Sequence, residues 1–209
     1  MPEVLREHIT ALSEQAVSIW LSGGWSMVAI AFIAIVMFSL SVNVQLKLSA
    51  KGFKKVKEKA WRHWINHPKK RQGHIGEILD FVESASTVEE MRSYFEELHS
   101  RETKPFVRDL RVIKICVSAA PLLGLLGTVT GMLSTFDALA KGSGGDKTMG
   151  MVAEGISEAL VTTETGLIIA LSGLLFSYII TRKFESYKAF LAHMETVCTQ
   201  KLHKKNLKN

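Results

Sequence analysis

Residues 155–180 read GISEALVTTETGLIIALSGLLFSYII, and the fold class follows from the composition of this stretch. It is long and apolar enough to span a membrane as an α-helix, since about 20 apolar residues cross the hydrocarbon core. It nevertheless carries Glu158 and Glu164, with three threonines between and beside them. A bare carboxylate in the middle of a bilayer costs from a few to roughly 10 kcal/mol. The stretch therefore predicts a membrane helix whose polar side chains serve a function.

The rest of the chain separates apolar from charged residues in the same way. Residues 15–46 and 115–136 contain no charged side chain, although the 209-residue chain is 22% charged. No strand pattern is present, so the fold class is an all-α integral membrane protein with three transmembrane helices and long helical cytoplasmic extensions. A cleaved signal peptide is disfavoured because acidic residues outnumber Arg6 before the first apolar run.

The basic residues set the orientation of the three spans. Residues 47–114 hold 16 lysines and arginines against 10 acids, and the tail from Arg182 holds 7 against 2. By the positive-inside rule these segments are cytoplasmic, and the N-terminus is periplasmic. The predicted order is a periplasmic segment 1–20, span 21–46, a cytoplasmic helical domain 47–111, span 112–138, a periplasmic loop 139–153, span 154–181 and a cytoplasmic tail 182–209.

Several function classes are disfavoured by the sequence. The basic run at residues 51–64 is explained by topology and by anionic lipid, so a nucleic-acid partner is not expected. Cys116 and Cys198 are predicted to be reduced packing residues and not a disulfide. No metal site, cofactor site, phosphate loop or nucleophile elbow is recognisable. His63 and His67 fit an interfacial helix more simply than a metal site, and an enzyme is not expected.

The cytoplasmic segments show helical periodicity. Phe53, Val56, Ala60 and Trp64 predict a basic helix that continues the first span, and residues 66–74 break it. STVEE at residues 86–90 predicts an N-cap with a capping box. Apolar stripes at helical spacing lie on either side of it, and they consist of Ile75, Ile78, Leu79 and Val82 before it and of Met91, Tyr94, Phe95 and Leu98 after it. The two stripes together predict a helical hairpin. A further stripe along the tail predicts one long helix that packs on the hairpin or on another copy; it consists of Phe184, Tyr187, Leu191, Met194 and Cys198.

The second span has two notable faces. Small residues at Gly124, Gly127 and Gly131 predict a face on which another helix approaches closely. A second face repeats every seven residues and is expected to expose its hydroxyls; it consists of Pro121, Thr128 and Thr135. The simpler alternative is that each threonine bonds a carbonyl of its own helix.

The sequences APLLGLLGTVTGM and GISEALVTTETGLIIAL, separated by a short loop, resemble the TolQ/ExbB/MotA family of ion-driven motor subunits. The resemblance covers roughly residues 105–185. Three spans with a large loop after the first are similar to the ExbB and TolQ type, whereas the MotA type has four. The resemblance implies an inner-membrane homopentamer with a pore that holds a single-span dimer of the ExbD/TolR type. It also implies that proton flow, without a cofactor, drives work on a TonB- or TolA-like client.

The resemblance also implies roles for individual residues. Thr128 and Thr163 match the pore threonines of the family, and Glu158 matches its glutamate. The predicted ion pathway also includes Glu164, Thr135 and Thr162, whereas the predicted packing residues are Pro121, Gly124, Gly127, Gly131 and Gly166. A threonine hydroxyl both donates and accepts hydrogen bonds, so it can serve a carboxyl group in either protonation state. Two alternatives stay open: a Na⁺-driven version of the motor, and a scaffold that does not conduct ions.

Glu164 departs from the family pattern, in which the position after the span-three threonine is usually small or apolar. Because a lipid-facing carboxylate is costly, Glu164 is expected at the pore edge or at the seam with a neighbouring subunit. Two roles follow: an additional proton or cation site in the path, or a hydrogen bond to a neighbour's Thr130 or Ser134. The path-side role is favoured.

Overall fold

The computed structural model describes residues 24–53, 56–141 and 146–207. The predicted periplasmic segment 1–20 lies outside these residues. All regular structure in the described residues is helical, as the sequence predicted. The helices are α1 (Gly24–Ala50), α2 (Glu58–Asn66), a 3₁₀ turn (Pro68–Lys70), α3 (Gly73–Glu83), α4 (Val88–Lys141) and α5 (Asp146–Asn206).

Three of these helices, α1, α4 and α5, are long and apolar enough to cross a membrane. Within the described residues, these three candidate spans agree with the three predicted from the uncharged runs. The helices α4 and α5 have 54 and 61 residues, so each extends well beyond the length that a bilayer requires. Since α4 ends at Lys141 and α5 begins at Asp146, helix occupies both ends of the segment 139–153 that was predicted as a loop.

The chain divides into two compact units. The first unit comprises the described residues up to Ser39 together with residues 113–175. Many of its large apolar side chains are exposed, among them Leu133, Leu160 and Leu171. Such a surface needs lipid or other helices to cover it.

The second unit comprises residues 40–112 and 176–207 of the described chain. Its hairpin consists of α3 and the first part of α4, and both predicted apolar stripes are buried apart from the half-buried Tyr94. The N-terminus of α4 carries the predicted capping box. The Thr87 hydroxyl accepts the Glu90 amide at 3.1 Å, and the Glu90 carboxylate accepts the Ser86 and Thr87 amides at 2.8 and 3.4 Å.

The apolar stripe of the tail packs within the same chain. All five predicted residues are buried: Phe184, Tyr187, Leu191, Met194 and Cys198. The Phe184 ring lies 5.7 Å from that of Phe106 on α4, and the Tyr187 ring lies 5.3 Å from that of Phe53. Phe106 and Phe53 of the same chain therefore form part of the partner surface that the stripe requires. Both cysteines are free and buried, as predicted.

The prediction that the first span continues into a basic helix is wrong. Helix α1 ends at Ala50, and Gly52 adopts a left-handed φ of +65° that turns the chain before α2 begins at Glu58. The residue that α2 buries is Trp61, whose ring meets those of Phe190 and His193 edge-on. Trp64, which belongs to the predicted face, is only half-buried.

A buried ionic cluster joins four segments of the second unit. Glu102 of α4, which is 7% exposed, accepts bonds from Lys51 at 2.5 Å and from the Tyr187 hydroxyl at 2.9 Å. A ring nitrogen of His74 lies 3.2 Å from the same carboxylate oxygen. Although burial alone raises the pKa of Glu102, its hydrogen bonds to His74, Lys51 and Tyr187 lower that pKa to about 2. Burial, with the nearby Glu102 charge, raises the pKa of Tyr187, so the phenol remains a donor.

Candidate functional site

Glycines allow close contact between α4 and α5 in the first unit. A Cβ atom at Gly124 would lie 2.9 Å from the carbonyl oxygen of Thr162, and one at Gly131 would lie 2.9 Å from that of Gly155. A Cβ at Gly166 would lie 2.7 Å from the Ala120 carbonyl oxygen. Contacts this short to backbone atoms cannot be relieved by moving a side chain. The two helices therefore approach at a distance that only glycine permits at these positions.

Thr162 fills the space that Gly127 leaves open. Its side chain is fully buried, and a Cβ atom at Gly127 would overlap its hydroxyl oxygen. The hydroxyl donates to the Ala159 carbonyl of its own helix at 2.9 Å and lies 3.4 Å from the Gly124 carbonyl of α4. Thr162 therefore has a packing contact in the single chain, as well as its predicted place in the ion pathway.

Thr163 links the two helices directly. Its half-buried hydroxyl donates to the Gly124 carbonyl oxygen at 3.0 Å. Because this bond uses the only hydroxyl proton of Thr163, its lone pairs remain available to accept a bond from another group. Gly124 thus contributes twice: it has no side chain to block α5, and its carbonyl fixes the Thr163 rotamer.

The other threonines bond carbonyls of their own helices. Thr128 donates to Leu125 at 2.7 Å, Thr135 to Met132 at 2.7 Å, and Thr165 to Val161 at 2.8 Å. This is the simpler geometry that the sequence left open. Thr128 and Pro121 are half-buried.

The expectation that Thr135 exposes its hydroxyl on the face of Thr128 is wrong. Thr135 is 3% exposed, and its methyl group would lie 2.5 Å from a Cβ atom at Gly155. On a helix with about 100° per residue, Thr135 lies about 20° from Gly124 and Thr128 about 40° from it. Thr135 therefore belongs to the edge of the glycine face, which α5 covers.

The two glutamates occupy different surroundings. Glu158 is half-buried, and its carboxylate lies against Gly24, where a Cβ atom would overlap it. Gly24 is the first residue of α1 and has a left-handed φ of +58°. The N-terminal end of a helix carries partial positive charge, which stabilises a carboxylate. No pattern in the sequence indicated this contact between α1 and α5.

Glu164 is exposed on the surface of α5, and it has no hydrogen-bond or ion-pair partner among the described residues. Its neighbours one turn away on the helix, Leu160, Leu167 and Ile168, are exposed as well. An acid surrounded by exposed apolar side chains needs a partner beyond the single chain if the surface is to leave water.

The ion-pathway candidates do not form one cluster in the single chain. The structure places Thr162, Thr163 and Thr135 at the contact between α4 and α5, and Glu158 beside α1. Thr128 lies at the edge of that contact, and Glu164 lies on an exposed face. Among the described residues, no group of histidine, cysteine or acidic side chains could hold a metal ion.

Comparison with known proteins gives a family and several relatives. The sequence profile of the MotA/TolQ/ExbB proton channel family matches residues 54–193. A putative biopolymer transport protein ExbB-like 1 from Synechocystis sp. is 40% identical over 88 residues, which cover 42% of this chain and 35% of that protein. The biopolymer transport protein ExbB of Pseudomonas putida is 38% identical over 72 residues, 34% of this chain and 21% of that protein. The matches cover less than half the length of these relatives.

Proposed function

Because the chain belongs to the MotA/TolQ/ExbB proton channel family, we propose that it is the inner-membrane channel subunit of an ion-driven motor. In this proposal an ExbD/TolR-like dimer with single membrane spans occupies the pore of a homopentamer. Ion flow then drives work on a TonB- or TolA-like protein of the envelope. The three apolar helices and the relatives named as biopolymer transport proteins support this function.

The observation that carries the proposal is the hydrogen bond from Thr163 to the Gly124 carbonyl inside an apolar helix pair. This bond fixes the hydroxyl oxygen of Thr163 and leaves its lone pairs free to accept. A protonated carboxyl group on a partner helix could donate to that oxygen at little cost of desolvation. Each proton crossing 100 mV supplies about 2.3 kcal/mol, so a few protons per cycle are enough for a mechanical step.

Assembly with further copies is supported by the exposed surface of the first unit, whereas the number of five copies is what the family resemblance implies. Its apolar side chains and the partnerless Glu164 face outward from the single chain. Lipid can cover the leucines, but a carboxylate in lipid is costly. Packing against further copies, around a pore that holds the partner, places Glu164 at the seam or at the path and removes this cost.

Ion flux into liposomes tests the proposal. Liposomes carry the protein with its ExbD/TolR-like partner, and a pH gradient and a Na⁺ gradient are applied separately. We expect proton flux in the native complex and a sharp loss of flux in Thr163→Val and Thr128→Val, with the oligomer intact on a native gel. Thr165→Val is the matched control, because that hydroxyl also bonds its own helix but is not a proposed pathway residue.

Three results would contradict parts of the proposal. Flux that follows only the Na⁺ gradient would mean that the coupling ion is Na⁺ and not the proton. An absence of flux under either gradient would favour a non-conducting scaffold. Full flux in both valine variants would remove Thr128 and Thr163 from the ion pathway while leaving the family assignment in place.

A further inference from the structure

A cavity of about 480 Å³ in the second unit has a basic lining. We call it the basic pocket; it is lined by Lys47, Ala50, Lys51, His74, Arg101, Glu102, Pro105 and Phe106. The lining thus contains three basic side chains, one histidine and a single carboxylate. The pocket is lined by none of the predicted ion-pathway residues and by none of the glycines that bring α4 and α5 together in the first unit.

The charges of the basic pocket do not balance internally. Glu102 is ionised and is already bonded to Lys51, His74 and Tyr187. Within the described part of the chain, neither Lys47 nor Arg101 forms an ion pair with a carboxylate. Arg101 instead lies over the Phe81 ring, 5.9 Å from its centroid. The buried cluster therefore accounts for Lys51 and His74, whereas Lys47 and Arg101 are left to attract an anion from outside.

The position of the basic pocket along the chain indicates which anion is within reach. Lys47 is the first charged residue after the uncharged part of α1, and it lies in the last turn of that helix. Basic side chains directly after a span lie at the level of the lipid headgroups. Ala50, Pro105 and Phe106 add an apolar wall to the pocket. A phosphate with an attached apolar tail matches both kinds of lining.

We propose that the basic pocket binds a phosphate group, through Lys47 and Arg101, as carried by an anionic phospholipid or by free phosphate. The buried Glu102 holds Lys51 and His74 in place. Guanidinium groups form paired hydrogen bonds with phosphate oxygens, and lysine adds a point charge. The site is independent of the proposed motor function, because none of its residues belongs to the ion pathway.

Native mass spectrometry of the full chain in detergent tests the proposal. The probes are phosphatidylglycerol and phosphatidylcholine of equal chain length, added separately. Because each basic residue near an anionic headgroup contributes roughly fivefold in affinity, we expect phosphatidylglycerol to bind about tenfold or more tightly than phosphatidylcholine. The double variant Lys47→Gln/Arg101→Gln should lose this preference.

The matched control is Arg92→Gln/Lys204→Gln, which removes the same charge from exposed positions outside the basic pocket. It should keep the preference for phosphatidylglycerol. A second arm titrates inorganic phosphate in lipid-free detergent and follows its ³¹P linewidth. Broadening that depends on Lys47 and Arg101, without any lipid preference, supports the phosphate site and assigns it to a soluble phosphate.

Two results would overturn the proposal. One is an equal loss of phosphatidylglycerol binding in the pocket variant and the control, which would mean diffuse electrostatic attraction without a site. The other is an absence of both lipid preference and phosphate broadening in the native protein. Thermal unfolding of both double variants accompanies the measurement, and unchanged transitions exclude a folding defect as the cause.

Discussion

In the first unit α4 and α5 meet through glycines and threonine hydroxyls, whereas in the second unit the same two helices meet through aromatic rings and a buried carboxylate. The contact at Gly124 brings a backbone carbonyl to Thr163, and the contact at Glu102 brings a charged group to Tyr187. Lipid offers no hydrophobic drive for helix association, so close packing and hydrogen bonds must suffice there. In water the burial of rings contributes most of the drive, and a buried ion network can be added to it. The surroundings of a helix pair therefore select the kind of contact that holds it.

The largest expected effect comes from filling the glycine seam. Gly127→Leu places a side chain where the Thr162 hydroxyl lies, so α4 and α5 must separate. Overpacking of this kind typically costs about 1–3 kcal/mol and occasionally more. We expect the assembled complex to be lost on a native gel.

Gly150→Leu is the matched control, because a Cβ atom at Gly150 meets nothing within 4 Å among the described residues. It should assemble normally. If Gly127→Leu assembles normally but loses ion flux, Gly127 lines the path and the packing role is wrong.

The second prediction concerns a substitution that breaks the ionic contact of the second unit. Glu102→Gln leaves Lys51 beside an uncharged group, so we expect the free energy of unfolding to fall by about 3 kcal/mol. The matched control is Glu97→Gln, an exposed change on the same helix, which should leave the free energy of unfolding within about 0.5 kcal/mol of the native value. Denaturation of the detergent-solubilised protein measures both.

The pH dependence of the free energy of unfolding tests the same ionic contact. The pKa of Glu102 lies near 2 in the folded chain and rises to its ordinary 4.5 on unfolding. Its stabilisation is therefore complete above pH 4.5 and is lost as the pH falls toward 2. The Glu102→Gln variant should lack this part of the acid sensitivity, and an unchanged acid transition would contradict the assignment.

The smallest effect on stability is expected at Glu164, because its side chain is exposed and has no partner among the described residues. On the path-side interpretation, Glu164→Gln keeps assembly but slows ion flux or shifts its dependence on pH or Na⁺. Proteoliposome flux and a native gel measure the two properties together. If Gln behaves like the native residue while Glu164→Ala disassembles the complex, Glu164 is a seam contact and the path-side role is wrong.

Periodicity predicted much of the second unit because its stripes are strongly amphipathic. The apolar residues of the hairpin and of the tail are buried as their spacing required, and the capping box forms at Thr87. The break between α1 and α2 was missed because it depends on the left-handed φ of Gly52, a local backbone value that a hydrophobic pattern does not report.

The candidate site was less predictable because the two predicted faces of α4, the glycine face and the threonine face, overlap. Thr135 lies about 20° around the helix from both Gly124 and Thr128. The seven-residue repeat grouped it with Thr128, whereas in the structure it belongs to the glycine face that α5 covers. The contact of Gly24 with Glu158 was beyond any pattern within one span, since it joins residues that are far apart in the sequence. Spacing identifies residues that share a face, but packing decides which edge of that face is covered.

The glycine seam also has a mechanical consequence. Two helices in contact at Gly124, Gly131 and Gly166 cannot slide along each other by one turn, since neighbouring side chains would then meet backbone atoms. We expect α4 and α5 to move as one rigid helix pair in the first unit. Spin labels at the exposed Leu126 and Leu167 should therefore keep the same separation while ions flow. A change of several ångströms would contradict this. In the proposed assembly, relative motion is therefore expected between one chain and the next, or between the homopentamer and the dimer in its pore.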